Sequence, residues 1–241
     1  MELLVPATQS RSNYLRVVKT LAGRFNTSEQ DIINTYKIYN QALKMPQLLQ
    51  PALSTYKFNP VKAVETPVPG ELKIDRNDFF AVTGVGLRFT RATYTSSTGA
   101  VSAFGNFPEY TYPYSAVFSG SGEATALQCI VRGSLSLTVT DDLQWNIPCS
   151  ELVYKNEYIN AQEQTTAFGV DGQNGIFDLD SIVVLDGNAD NALLLNLLAG
   201  TITNIDGNTN TITRNYIMPV LYGFQIKNLA GGGFSAANCR I

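Results

Sequence analysis

The run Leu135-Ser136-Leu137-Thr138-Val139-Thr140-Asp141-Asp142-Leu143-Gln144-Trp145-Asn146-Ile147 alternates apolar and polar residues on both sides of an Asp-Asp pair. A period of two is the mark of a strand with one face on a core, and paired aspartates supply turn chemistry, so this stretch predicts a β-hairpin. Similar short strands are predicted at Phe79 to Arg91, Tyr114 to Phe118, Ala124 to Val131, Glu151 to Tyr154, Ile182 to Leu185, Leu193 to Leu197, Thr209 to Arg214 and Val220 to Lys227. Turn signals separate most of them: Thr98-Gly99, Arg132-Gly133, Asp171-Gly172, Asp186-Gly187 and Asp206-Gly207. Many short strands without intervening helical periodicity predict a mainly β chain, a β-sandwich or single jelly roll. Ala189 to Gly200 is leucine-rich enough for a buried helix, but the Leu193/Leu195/Leu197 alternation favours a strand.

Upstream the periodicity is helical. Thr27 and Gln30 have capping-box spacing, and Ile32, Tyr36, Tyr39 and Leu43 then recur on one helical face, predicting a helix from about Ser28 to Lys44 that Pro46 stops. A shorter helix around Tyr14 to Ala22 places Leu15, Val18 and Leu21 on one side and ends at Gly23. Amphipathic pieces this short need a surface to dock on, either the body of the chain or a neighbouring subunit. Pro60, Pro67, Pro69 and Gly70 then forbid helix and favour extended backbone. The expected organisation is a helical N-terminal arm (1–58), a Pro-rich linker (59–74), a β-sandwich domain (75–230) and a Gly-rich C-terminal tail (231–241) around Gly231-Gly232-Gly233.

The chain has 241 residues, enough for one sizeable core with an appendage. Its 15% of charged residues falls below the roughly 25% of average soluble domains, which suggests that much of the surface meets protein rather than water. Residues 1–62 carry eight Lys or Arg against Glu2, Glu29 and Asp31, a net of plus five, while the remainder carries nine basic and 17 acidic residues, a net of minus eight. A basic arm on an acidic body can reach towards nucleic acid or a neighbouring acidic body, but no Arg/Lys run is present. Cys129, Cys149 and Cys239 form neither a CxxC pair nor an even set, so neither a zinc site nor a disulfide framework is indicated. The start, MELLVPATQSR, does not read as a secretory signal, and the Leu193 to Ala199 stretch is too short for a membrane span.

The chain contains no histidine, which removes the commonest general base near neutral pH, the commonest imidazole metal ligand and the Ser-His-Asp and Cys-His nucleophile systems. The carboxylate pairs Asp141/Asp142, Asp178/Asp180 and Asp186/Asp190 flank turns or strand ends, where Asp bonds backbone. Asp186–Asp190 and Asp206–Asn210 place oxygen side chains at alternate positions, yet neither has the Gly and Glu of an EF-hand loop, so a hairpin turn is the simpler reading than a Ca2+ site. Gly84-Val85-Gly86 lacks the third glycine of a dinucleotide fingerprint, and Ser119-Gly120-Ser121-Gly122 lacks the lysine of a phosphate loop. The aromatic stretch Phe104, Phe107, Tyr110, Tyr112, Tyr114, Phe118 can stack on sugars or bases, but core or intersubunit packing accounts for it more simply. No catalytic, cofactor-binding or metal-binding residues are expected, and the chain reads as a building block rather than an enzyme.

The stretches Arg76-Asn-Asp-Phe-Phe-Ala-Val-Thr-Gly-Val-Gly-Leu-Arg-Phe89 and Leu185-Asp-Gly-Asn-Ala-Asp-Asn-Ala-Leu-Leu-Leu-Asn-Leu197 resemble the strand layout of jelly-roll coat proteins of small tailless bacterial viruses. The resemblance implies a single jelly roll whose helical arm tethers neighbours, a virion protein assembled in the host cytoplasm. Its implied partners are copies of itself and other virion proteins, with no catalytic residues to carry over. The arm departs from the Arg-rich run of many coat proteins, so genome contact is not expected to be strong. On this reading the subunit contacts fall at Ile32, Tyr36, Tyr39, Leu43, Tyr110, Tyr112 and Tyr114. The alternative is a β-sandwich carbohydrate-binding or adhesive surface module using the aromatic segment 104–118.

Overall fold

A computed structural model describes residues 7–62, 72–95, 100–101, 109–114, 117–153, 175–197, 205–206 and 213–228. Two antiparallel sheets face each other. The first contains β1 (Tyr36–Lys44), β2 (Gln47–Leu48), β4 (Phe79–Thr95), β5 (Ala100–Val101), β8 (Ile176–Asp186) and β10 (Thr213–Asn228). In it β10 lies between β1 and β4, and β8 pairs with the other side of β4. The second runs β3–β9–β6–β7, with β3 Thr55–Phe58, β9 Asn191–Asn196, β6 Ser134–Val139 and β7 Asp142–Pro148. The predicted β6–β7 hairpin forms as expected, with positive φ at Thr140 and Asp141 giving the turn that matches strand twist. The chain is mainly β, and its sheets are compatible with a β-sandwich.

The main core lies between the sheets, where Phe80, Val82, Val85, Leu87, Phe89, Ile217 and Leu221 meet Tyr56, Phe58, Leu135, Leu137, Leu193 and Leu195. Along β4 the inward positions step from even to odd between Val82 and Val85. The register explains the step: Gly84 faces Tyr222 and Val82 faces Gly223, so Thr83 is the extra residue of a bulge. A Cβ on Gly223 would land on the Ala81 carbonyl oxygen, so close backbone approach demands glycine there. The sequence predicts separate strands at Thr209 to Arg214 and Val220 to Lys227; residues 209–212 lie outside the described residues, and from Thr213 one strand runs on through Pro219 to Asn228. Proline is tolerated because its missing N–H falls in the gap between β1, which ends at Lys44 opposite Val220, and β2, which starts at Gln47 opposite Ile217.

The N-terminal region departs most from expectation. Helix α1 (Ala7–Phe25) is longer than predicted and runs through Gly23; Asn26, at φ 51°, takes the left-handed turn that ends it. Helix α2 covers only Glu29–Thr35, capped by the Ser28 side chain, which accepts from the Asp31 N–H, rather than by Thr27. The predicted helix over 36–44 is a strand. Tyr36, Ile38 and Ala42 face the outer side of the sheet, and Leu43 is fully buried in the inter-sheet core. The β-favouring Tyr-Lys-Ile-Tyr segment satisfies the helical spacing too, but the free flank of β10 offers nine residues a continuous ladder. Residues 36–58, placed in a helical arm by the sequence, therefore supply strands to both sheets. The helices do not stand apart either: Val17, Val18, Leu21, Ala22 and Ile32 pack on Phe79, Ala81, Val184, Phe224 and Ile226, on the outer face of the first sheet.

Three further segments read as strands fold otherwise. Ala124 to Val131 is helix α3 (Glu123–Gln128) followed by a 3-10 turn at Cys129–Arg132. Glu151 to Tyr154 begins within one helical turn, α4 (Cys149–Leu152), and residues 114, 117 and 118 of Tyr114 to Phe118 form turns. Each segment is short and apolar without strict alternation, which leaves its period to be fixed by what it packs on. Leu127, Ile130, Cys149 and Leu152 all end in the main core. The two ends of the Pro-rich segment are tied together, Val61 bridging Ile74 and Ile74 N–H donating to Pro60 O at 2.9 Å. The C-terminal tail, Phe104, Phe107 and the middle of the Pro-rich segment lie outside the described residues.

Candidate functional site

The residues expected at subunit contacts are largely engaged within the chain. Ile32 and Leu43 are fully buried, and Tyr110 and Tyr114 are buried. Tyr110 packs edge-on against Phe118 at 5.7 Å, and half-buried Tyr112 packs edge-on against Tyr114 at 5.1 Å. Tyr36 stacks on Phe25 at 5.8 Å, fastening β1 to α1. Tyr39 is half-buried near Lys227, its hydroxyl pKa raised by burial. The structure does not bring these seven residues together: Ile32 lies on α2 and Tyr36, Tyr39 and Leu43 on β1, while Tyr110, Tyr112 and Tyr114 lie in the segment before α3, Tyr110 in the main core.

The most buried polar constellation was not foreseen from the sequence. Glu123, with no solvent exposure, accepts from the Gly120 N–H at 2.8 Å and from the Asn215 side-chain amide at 2.6 Å, and pairs with Arg91 at 3.2 Å. Arg91 also donates to Val117 O at 2.9 Å and lies 5.8 Å from the Phe118 ring centre. The Asn215 amide reaches Ile205 O at 3.2 Å as well. This knot therefore joins β4, α3, β10 and the 117–120 turn. It also gives Ser119-Gly120-Ser121-Gly122 a purpose: Gly122 sits at φ 70° before α3, and Gly120 offers its backbone to the carboxylate. Gly-x-Gly followed by Glu was the available signal, but its partners lie 32 and 92 residues away in sequence.

A second constellation is ionic and more exposed. Asp75 pairs with Lys62 at 2.7 Å and with Lys227 at 3.7 Å; Asp78 pairs with Lys227 at 3.3 Å and accepts from buried Gln225. The Lys62 hydrogen bond holds the Asp75 carboxyl below its ordinary range. Burial pulls the Lys227 ammonium down, but the hydrogen bond and charge of Asp78 outweigh it and raise its pKa. These pairs fasten the segment entering β4 to the end of β10.

The calcium-like segment Asp186–Asp190 is a turn, as its composition favoured. The Asp186 carboxylate accepts from the Asn188 N–H at 2.8 Å, and the Asn191 amide ties the Asp186 and Ala189 carbonyls. Asp206–Asn210 lies mostly outside the described residues. Among the described residues no three His, Cys, Asp or Glu side chains gather as metal ligands, and no helix is long and apolar enough to cross a membrane. Burial raises the Cys149 thiol pKa to about 12, whereas Cys129 is half-exposed.

Leu15, Ile33, Leu72 and Leu143 stand exposed, Leu143 most of all at 62%. Leu143 lies on β7, which among the described residues has a sheet partner on one side only. The chain matches no protein-family model and no curated protein.

Proposed function

We propose that this chain is a structural capsid protein, a single jelly roll that self-assembles into a virion shell. The strand pairing carries the reading. Taking the eight principal described strands in chain order, β1 pairs with β10, β3 with β9, β4 with β8 and β6 with β7. The first thus meets the eighth, the second the seventh, the third the sixth and the fourth the fifth. That nesting is one long hairpin rolled over itself, with β10 against β4 and β9 against β6 joining the layers into two four-strand rows. Jelly rolls with this wrapping recur in viral capsids, lectins and cupins.

A fold by itself does not select among these functions. Metal-binding cupin chemistry loses its usual imidazole ligands in a chain with no histidine. A lectin-like use of the aromatic segment requires open rings; Tyr110, Tyr114 and Phe118 are buried and Tyr112 is half-buried, while Phe104 and Phe107 lie outside the described residues. Scarce charge favours a surface that meets other copies. Size-exclusion chromatography with light scattering, followed by negative-stain microscopy of the purified chain, is expected to find closed particles. A protein that stays monomeric across concentration and ionic strength would sink the proposal.

A further inference from the structure

Two exposed surfaces on opposite layers carry an apolar side chain ringed by opposite charge. The outward face of α1 presents Arg11, Leu15 and Lys19 at successive helical turns, all exposed, Leu15 at 53%. Helix α1 contains no acidic residue, and its other arginines are occupied inward, Arg16 donating to Leu179 O and Asp180 O and Arg24 to Val184 O. The β6–β7 turn presents Asp141 and Asp142 beside Leu143, all exposed. Asp190, also exposed, joins them because its carbonyl accepts from the Thr140 N–H at 2.8 Å. No basic residue occurs between Gly133 and Tyr154.

From this complementarity we infer that the α1 outer face of one copy docks on the β6–β7 turn of the next copy. The contact rests on the self-assembly reading above. It cannot close within one chain, because α1 covers the outer face of the first sheet and the turn belongs to the second sheet, on the far side of the core. The contact is therefore head-to-tail, the type that propagates into rings or shells. Strand addition along β7 is disfavoured, since Leu137 faces Trp145 and Thr138 faces Leu143, leaving Gln144 as a bulge that breaks the edge. Side-chain contact at the turn is what remains. Charge around each leucine would set register and encounter, and the leucines would supply the dry centre.

Charge exchange in the full-length chain tests this. Arg11→Glu/Lys19→Glu and Asp141→Lys/Asp142→Lys are each expected to lose at least tenfold of the assembled fraction at low salt, read by light scattering. Mixing the two variants in equal amounts is expected to recover it, because each then offers the other a matching face. Raising NaCl from 0.1 to 1 M shortens the screening length from about 10 to about 3 Å and should weaken wild-type assembly. Leu143→Ser, at an exposed position, should weaken it without loss of folded circular dichroism, and covers the case where a charge variant fails to fold. A wild type that assembles while folded reversed variants assemble equally well, or while their mixture recovers nothing, overturns the docking and leaves the capsid reading standing. A wild type that never assembles overturns both.

Discussion

Removing the Glu123 carboxylate should be among the most damaging single changes in the molecule. In Glu123→Ala the Arg91 guanidinium, about 20% exposed, loses its counter-charge; the Gly120 N–H loses its only described acceptor, and the Asn215 amide keeps Ile205 O alone. Breaking one partner of a buried pair costs about 3–5 kcal/mol, because the surviving charge stays desolvated. Two hydrogen bonds to a charged acceptor, at about 1.5–3 kcal/mol each, give the same scale. For a chain of this length about 2–4 °C of melting temperature goes with each kcal/mol, so a fall of roughly 6–20 °C is expected. Glu123→Gln keeps the shape and one acceptor and should lose about half as much. Replacing both charges, Arg91→Met with Glu123→Leu, should recover most of the loss, since an apolar pair of similar volume replaces a buried ion pair at little cost. Urea unfolding followed by circular dichroism at one fixed protein concentration gives the three values. A Glu123→Ala variant within about 1 kcal/mol of wild type, or a double variant as unstable as the single, would refute the claim that this knot fastens β4, α3 and β10 together.

Two glycine substitutions should act with opposite sign: Gly223→Ala forces β10 off the Ala81 carbonyl and should destabilise by about 1–3 kcal/mol, while Gly23→Ala, with open space around its Cβ inside α1, should stabilise by about 0.5–1 kcal/mol, both read from urea midpoints. The Asp75–Lys227 cluster should support the fold only within a pH window. With its pKa lowered, Asp75 contributes above the ordinary carboxylate value of about 4 and loses that contribution as pH falls through the lowered value; with its pKa raised, Lys227 contributes below about 10.4 and loses it as pH rises through the raised one. The stability difference between wild type and Lys227→Met should accordingly stay flat from about pH 5 to 9 and shrink at both ends, and a slope across neutrality would contradict this cluster's role. Cys149, buried with its thiol pKa near 12, should resist iodoacetamide at pH 8 until the protein unfolds, while Cys129 reacts; peptide mapping distinguishes them, and native labelling of Cys149 would show that its burial is incomplete.

Where the chain carries its own signal, residue order was enough to read the structure. The Leu135 to Ile147 hairpin alternates strictly enough that local backbone preference and burial agree, and β4 from Phe79 and β9 from Asn191 are marked as strands by β-favouring apolar runs next to turns with Asp or Gly. The Asp186 turn was legible for the same reason, its hydrogen bonds closing within five residues. Absence of histidine also needs no coordinates to limit the chemistry available.

Other features depend on partners far away in sequence. Residues 36–44 satisfy both a helical and a two-residue period, and only the open flank of β10, about 190 residues on, selects the strand. Pro219 would break a strand locally, but not where the N–H it lacks would face a gap between two partners. The buried Glu123–Arg91–Asn215 knot draws on three separated segments, so none of the three marks it alone. Likewise the charge asymmetry of the chain was plain from composition. That Arg11 and Lys19 flank Leu15 on one layer while Asp141, Asp142 and Asp190 gather near Leu143 on the opposite one is a property of how the sheets stack, because covalent order fixes which charges exist and packing fixes which direction they face.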